Sequence, residues 1–101
     1  MINKAIQEKI ERLQRGETFW TSESGNSMTP ILYSNQKTKL EPVKDWHDLK
    51  KDDVVFCKVH SSCVTHKVYA VDNNKGVLIG NNHGHLNGWT KTVYGKMIEK
   101  G

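Results

Sequence analysis

Two runs of β-branched and aromatic residues on either side of a tight turn constrain this chain more than any other feature. Asp53-Val54-Val55-Phe56-Cys57-Lys58-Val59 leads into His60-Ser61-Ser62, and Val64-Thr65-His66-Lys67-Val68-Tyr69-Ala70-Val71 leads away from it. Such side chains suit a pleated, half-buried surface, so the pair predicts an antiparallel hairpin. Asp72-Asn73-Asn74-Lys75-Gly76 is a second turn, made of residues that tolerate left-handed backbone. Val77-Leu78-Ile79 reads as a short buried strand, residues 80–88 as a Gly/His/Asn loop, and residues 92–98 as a closing strand. Residues 37–43 read as an edge strand, because Pro42 has no N–H to give a central ladder. Residues 44–52 form a charged connection.

Ahead of these lies a different period. Ile2, Ile6, Ile10 and Leu13 recur at spacings of four, four and three, one stripe of an amphipathic helix over residues 2–15. Lys4, Glu8, Glu11, Arg12 and Arg15 take the other faces, and Gly16 is a natural stop. A stripe of this kind fits a membrane surface or a partner as well as a sheet; covering the sheet is the expected use. With 101 residues there is room for one domain. The expected fold is mainly β: a single antiparallel β domain with an N-terminal helix (residues 1–16) and a β core (residues 25–98).

Composition narrows the function classes. Hydrophobic residues are 36% and charged residues 26% of the chain, lean but above what a disordered chain shows. The net charge is +4, with lysines spread along the chain rather than gathered, so a nucleic-acid surface is not expected. Two cysteines cannot define a disulfide framework. No apolar run approaches the ~18 residues of a membrane span, and no apolar signal core stands at the N-terminus. The expectation is a cytoplasmic protein with no membrane anchor and no cofactor.

The residues that carry chemistry begin at Gly25-Asn26-Ser27-Met28-Thr29-Pro30. Serine hydrolysis needs an exposed hydroxyl on a tight turn, a base within hydrogen-bond reach and amide donors for the oxyanion. Gly25 lets a substrate approach the backbone, and Pro30 fixes the exit of the turn. Ser27-Met28-Thr29-Pro30 resembles the Ser-Met-x-Pro box around the nucleophile of type I signal peptidases and LexA-type serine peptidases. Leu49-Lys50-Lys51-Asp52-Asp53-Val54-Val55-Phe56 resembles their Lys-x-Gly-Asp-hydrophobic strand, with Asp52 where glycine is usual. Val64-Thr65-His66-Lys67-Val68 is similar to the Thr-His-Arg-hydrophobic strand of the endoplasmic-reticulum and archaeal signal peptidases, in which histidine is the base. Gly80-Asn81-Asn82 resembles the Gly-Asp-Asn box of the same superfamily.

The resemblance covers residues 25–98 and implies a β-fold with Ser27 as nucleophile and His66 as base. It places Asn81 at the position of the triad aspartate, and Gly25, Asn26, Met28 and Pro30 along the substrate. An amide can hold a ring in place but cannot neutralise its charge. Strand alternation independently favours His66 over Lys67, since neighbouring side chains face opposite ways. A histidine is also uncharged at neutral pH without deep burial, whereas a lysine is not. The expected function is a serine endopeptidase acting on a protein or peptide. The alternative is a silent relative that binds a protein through the same groove. About twenty residues before the serine turn cannot hold a DNA-binding helix-turn-helix unit, and no Ala-Gly dipeptide offers a LexA-like self-cleavage site. A compact chain of this kind suits a phage or mobile-element product.

Cys57-x-x-His60-x-x-Cys63-x-x-His66 resembles a zinc ligand set only in residue type, because the spacing straddles a hairpin. No metal is expected. Cys57 and Cys63 could face each other across that hairpin.

Overall fold

The computed structural model describes residues 3–101. One helix, α1 (Lys4–Gln14), precedes seven strands: β1 (Phe19–Ser22), β2 (Lys37–Pro42), β3 (Val54–Val59), β4 (Ser62–Asp72), β5 (Gly76–Gly80), β6 (Leu86–Thr90) and β7 (Val93–Lys100). All seven form one antiparallel sheet in the order β1-β2-β7-β3-β4-β5-β6.

α1 starts where Asn3 Oδ1 accepts the Ile6 N–H at 2.8 Å, satisfying one of the amides a helix start leaves unpaired. It ends at Gly16, whose φ of 88° turns the chain so that Gly16 and Glu17 donate back to Leu13 and Arg12. Ile10 and Leu13 are buried and Ile6 packs beside them, so the apolar stripe covers the sheet. Ile2, the first position of that stripe, lies outside the described residues.

β3 is central and its two faces enter different cores. Phe56 joins Ile10, Leu13, Phe19 and Leu40 under the helix. Val55, Cys57 and Val59 join Leu49, Val68, Val77 and Ile79 on the opposite face. Burial on both sides is why β3 reads as a nearly unbroken apolar run. The sheet curls until Thr90 Oγ1 of β6 donates to the Lys58 carbonyl of β3 at 2.6 Å, enclosing the second core.

Several boundaries differ from the sequence-based expectation. β2 is an interior strand between β1 and β7, and the edges are β1 and β6. Pro42 is tolerated there because β1 pairs only with residues 37–40, leaving Pro42 opposite Gly95 of β7 alone. Phe19–Ser22 form β1, a strand absent from the sequence-based expectation, and β7 is sandwiched between β2 and β3. β6 arises inside the stretch expected as loop, so the β structure runs from residue 19 to 100.

Gly76 closes the β4–β5 turn at φ 98°, and a Cβ there would lie 2.2 Å from the Thr90 carbonyl oxygen. Backbone strain and a backbone clash act together. Gly76→Ala should therefore destabilise by about 2 kcal/mol or more, measured by urea denaturation. An unchanged midpoint would mean that the turn relaxes freely.

Candidate active site

His66 lies on β4 opposite Val55 of β3. Alternation puts it on the side of Val64 and Val68, which pack in or against the second core, and leaves its ring half-buried. Lys67 points the other way, with Nζ 3.0 Å from Asn82 Oδ1 and 4.9 Å from the centre of the Tyr69 ring.

The serine turn is held from within and from outside. Gly25, at φ 117°, donates its N–H to Ser34 Oγ, and the Thr29 N–H and hydroxyl both donate to the Asn26 carbonyl. Met28 is buried and anchors the turn. From the β5–β6 loop, the Asn82 N–H donates to the Ser27 carbonyl and Asn82 Nδ2 to the Thr29 carbonyl, each at 2.9 Å. His83 Nε2 lies 3.0 Å from Thr29 Oγ1 and 3.1 Å from the Asn26 carbonyl. Since the Thr29 hydroxyl proton is already directed at Asn26, His83 is the donor in both contacts.

Ser27 Oγ lies 3.2 Å from His66 Nε2, and His66 Nδ1 lies 2.7 Å from Asn87 Oδ1. An amide oxygen can only accept, so Nδ1 carries the ring proton and Nε2 presents its lone pair to the Ser27 hydroxyl. Burial lowers the His66 pKa below the ordinary 6.5, with the positive field of His85 adding; the Asn87 hydrogen bond and the negative Glu23 oppose it. The ring is therefore neutral at pH 7 and able to take a proton. Among the described residues no acceptor engages the amides of Ser27 and Met28, which leaves both N–H groups for a developing oxyanion. A cavity of about 40 Å³ opens beside Ser27, lined by Glu23, Gly25, Met28, Tyr33 and Thr65 among others.

Of the residues expected in the site, Ser27 and His66 converge, and Gly25 and Met28 line the cavity. Asn26 and Pro30 are not among its lining residues; Asn26 uses its carbonyl inside the turn, and the Thr29–Pro30 peptide is cis. Asn81 does not reach the imidazole. Its Oδ1 accepts the N–H groups of His83 and His85 at 2.8 and 3.0 Å, and its carbonyl accepts the Tyr69 hydroxyl. Asn81 is thus a loop brace, and Asn87 takes the place beside the ring. The reason is a β-bulge: Ile79 pairs with Gly88 and Gly80 with Leu86, leaving Asn87 as the extra residue of β6. Bulges re-aim side chains in this way.

The cysteines face opposite cores. Cys57 pairs with Val64 and Cys63 with Lys58, so they are one register step apart and on different faces. Burial pushes the Cys57 thiol up to about 12, with Cys63 and Glu23 adding to the effect, so it is an inert core residue. Among the described residues no group of three or more His, Cys, Asp or Glu side chains could hold a metal, and no helix is long and apolar enough to cross a membrane. Phe19 is buried whereas Trp20 is exposed, and Trp46 stacks on His47.

No protein-family model, curated protein or solved structure matches the chain.

Proposed function

We propose that this protein is a serine endopeptidase in which Ser27 is the nucleophile, His66 the general base and Asn87 the residue that orients the base. The observation that carries this reading is the single line of contacts Ser27 Oγ–His66 Nε2 and His66 Nδ1–Asn87 Oδ1, with the tautomer set for proton transfer. The resemblance of the serine turn and the His66 strand to signal-peptidase and LexA-type boxes supports it. So does Asp52, which adopts the left-handed conformation (φ 76°) where that superfamily usually has glycine.

In the proposed reaction Ser27 Oγ bonds to the scissile carbonyl carbon while its proton passes to His66 Nε2. The carbonyl π pair moves onto oxygen, facing the Ser27 and Met28 amides. Collapse of the tetrahedral adduct breaks the C–N bond, and the leaving amine takes the proton back from Nε2. Water then repeats the sequence on the acyl-serine and frees the enzyme. Two thiols held on opposite faces suit a reducing, cytoplasmic setting.

Incubation with a denatured proteome, followed by mapping of new N-termini, should reveal cleavage that is absent with Ser27→Ala. The neutral amide at Asn87 specifically favours a second reading, a silent protein-binding relative, for which no Ser27-dependent termini would appear.

The pH dependence has a definite sign. The rate needs neutral His66, whose pKa in the fold lies below 6.5. kcat/KM should stay level from pH 8 down to about 6.5 and fall only below it. The fold also loses stability in that direction, because the unfolded chain takes up the His66 proton at a higher pH than the folded one. An acid limb centred above 7 would contradict the assignment of His66 as a buried base.

A further inference from the structure

A triad carboxylate both aims the histidine and balances the imidazolium charge that forms during acyl transfer. Asn87 can do only the first. The charges around the ring come from several elements. The fields of His85, in the β5–β6 loop, and Glu23, in the chain following β1, act on it in opposite senses, whereas Lys67, its neighbour on β4, is turned away to Asn82. Among the described residues, Glu23 is the only charged one lining the cavity beside Ser27. It is fixed from two sides: Oε1 accepts the hydroxyl of Thr65, the residue before His66, and forms an ion pair with Lys9 Nζ of α1 at 2.7 Å.

We propose that Glu23 supplies the negative charge that favours the His66 imidazolium, replacing the carboxylate that Asn87 lacks, and that Lys9 sets how strongly it acts. This proposal rests on the Ser27–His66 hydrolase reading for its purpose, but the electrostatic coupling exists whether or not a peptide is cut. The chemistry is direct. A carboxylate bonded to the residue before the base, at the wall of the cavity beside Ser27, lowers the free energy of the protonated ring. Lys9 is nearly buried, with Nζ 4.4 Å from the centre of the Phe56 ring, and offsets part of that field. Glu23 itself is 40% exposed, so solvent screens it and the effect is severalfold rather than thousandfold. Glu23 is a positioning residue for charge: it touches neither Ser27 Oγ nor the imidazole directly among the contacts seen.

The test is an NMR titration of the His66 ring nitrogens in the full chain, in the wild type, Glu23→Gln and Lys9→Met. Gln keeps an oxygen for the Thr65 hydroxyl and removes only the charge; Met keeps the aliphatic cover on Phe56. The His66 midpoint should fall by about 0.2–0.7 pH in Glu23→Gln and rise in Lys9→Met. kcat/KM of Glu23→Gln should fall roughly two- to fivefold, with its acid limb moved the same way. A wild-type midpoint in Glu23→Gln would overturn the proposal, because a purely structural role moves no titration. A lowered midpoint with unchanged kcat/KM would overturn its catalytic part. Absence of Ser27-dependent cleavage in the wild type would sink the hydrolase reading instead, with the midpoints still deciding the coupling.

Discussion

Ser27→Ala should lower kcat/KM by on the order of 10⁴-fold while leaving the fold intact. The size follows from two known losses. Removing the serine from a complete Ser-His-Asp site costs on the order of 10⁶ in rate, because nucleophile and base act as one unit. Replacing the aspartate by asparagine costs about 10⁴ in a well-characterised protease, but part of that loss comes from the wrong ring tautomer. Here Asn87 turns its oxygen to His66 Nδ1, so the tautomer is the productive one and only the charge is missing. We assign that missing charge on the order of 10², which leaves about 10⁴ for Ser27 to lose. Ser27 sits on the surface of a turn whose anchoring is done by Met28, Thr29 and the Asn82 clamp, so its hydroxyl carries little of the stability. Thermal denaturation of Ser27→Ala within about 0.5 kcal/mol of wild type would confirm that separation. A cleavage rate equal to wild type would remove Ser27 from the mechanism.

Asn87→Asp should act in the opposite direction, raising kcat/KM by on the order of 10²-fold. The substitution keeps size and shape, keeps an acceptor 2.7 Å from Nδ1, and adds the charge that stabilises the imidazolium. It should also raise the His66 pKa, so the acid limb of the rate profile moves to higher pH as the plateau rises. Gains of activity on adding one carboxylate are uncommon, which makes this outcome diagnostic. Steady-state kinetics of Asn87→Asp on a peptide taken from the mapped termini measures it. An unchanged rate together with a raised His66 midpoint would show that charge on the base does not limit turnover. Loss of activity would show that Asn87 serves another purpose.

Which parts of this site were legible from sequence follows from how each residue is held. The β3–β4 hairpin was readable because β3 is buried on both faces and its partner returns after a two-residue loop, so local pattern and tertiary fate coincide. The convergence of Ser27 with His66 was readable only through the resemblance of short boxes. No local rule brings a turn at residue 27 to a strand at residue 66.

β1 escaped notice because four residues straddling a polar boundary give no alternation to detect. Pro42 made β2 look like an edge, whereas β1 covers only residues 37–40 and leaves the proline beyond its reach. Asn87 escaped for a different reason. Its direction is set by a bulge against β5, and its target lies one strand further away on β4. A bulge has no sequence signature strong enough to place it, and Gly88, at φ 132°, is its only local trace. Asn81 filled the gap by box position alone, whereas the backbone amides of His83 and His85 take up its side-chain oxygen.

The claim on which all of this depends is that the Ser27 hydroxyl is made nucleophilic by His66. A fluorophosphonate probe reports on that property without requiring the natural substrate, since it esterifies only activated serines at useful rates. Intact-mass and peptide-mass spectrometry after exposure at pH 8 should find one adduct, on the peptide containing Ser27, with labelling at least tenfold slower in His66→Gln. No adduct on Ser27 in the wild type, or equal labelling of wild type and His66→Gln, would contradict the account.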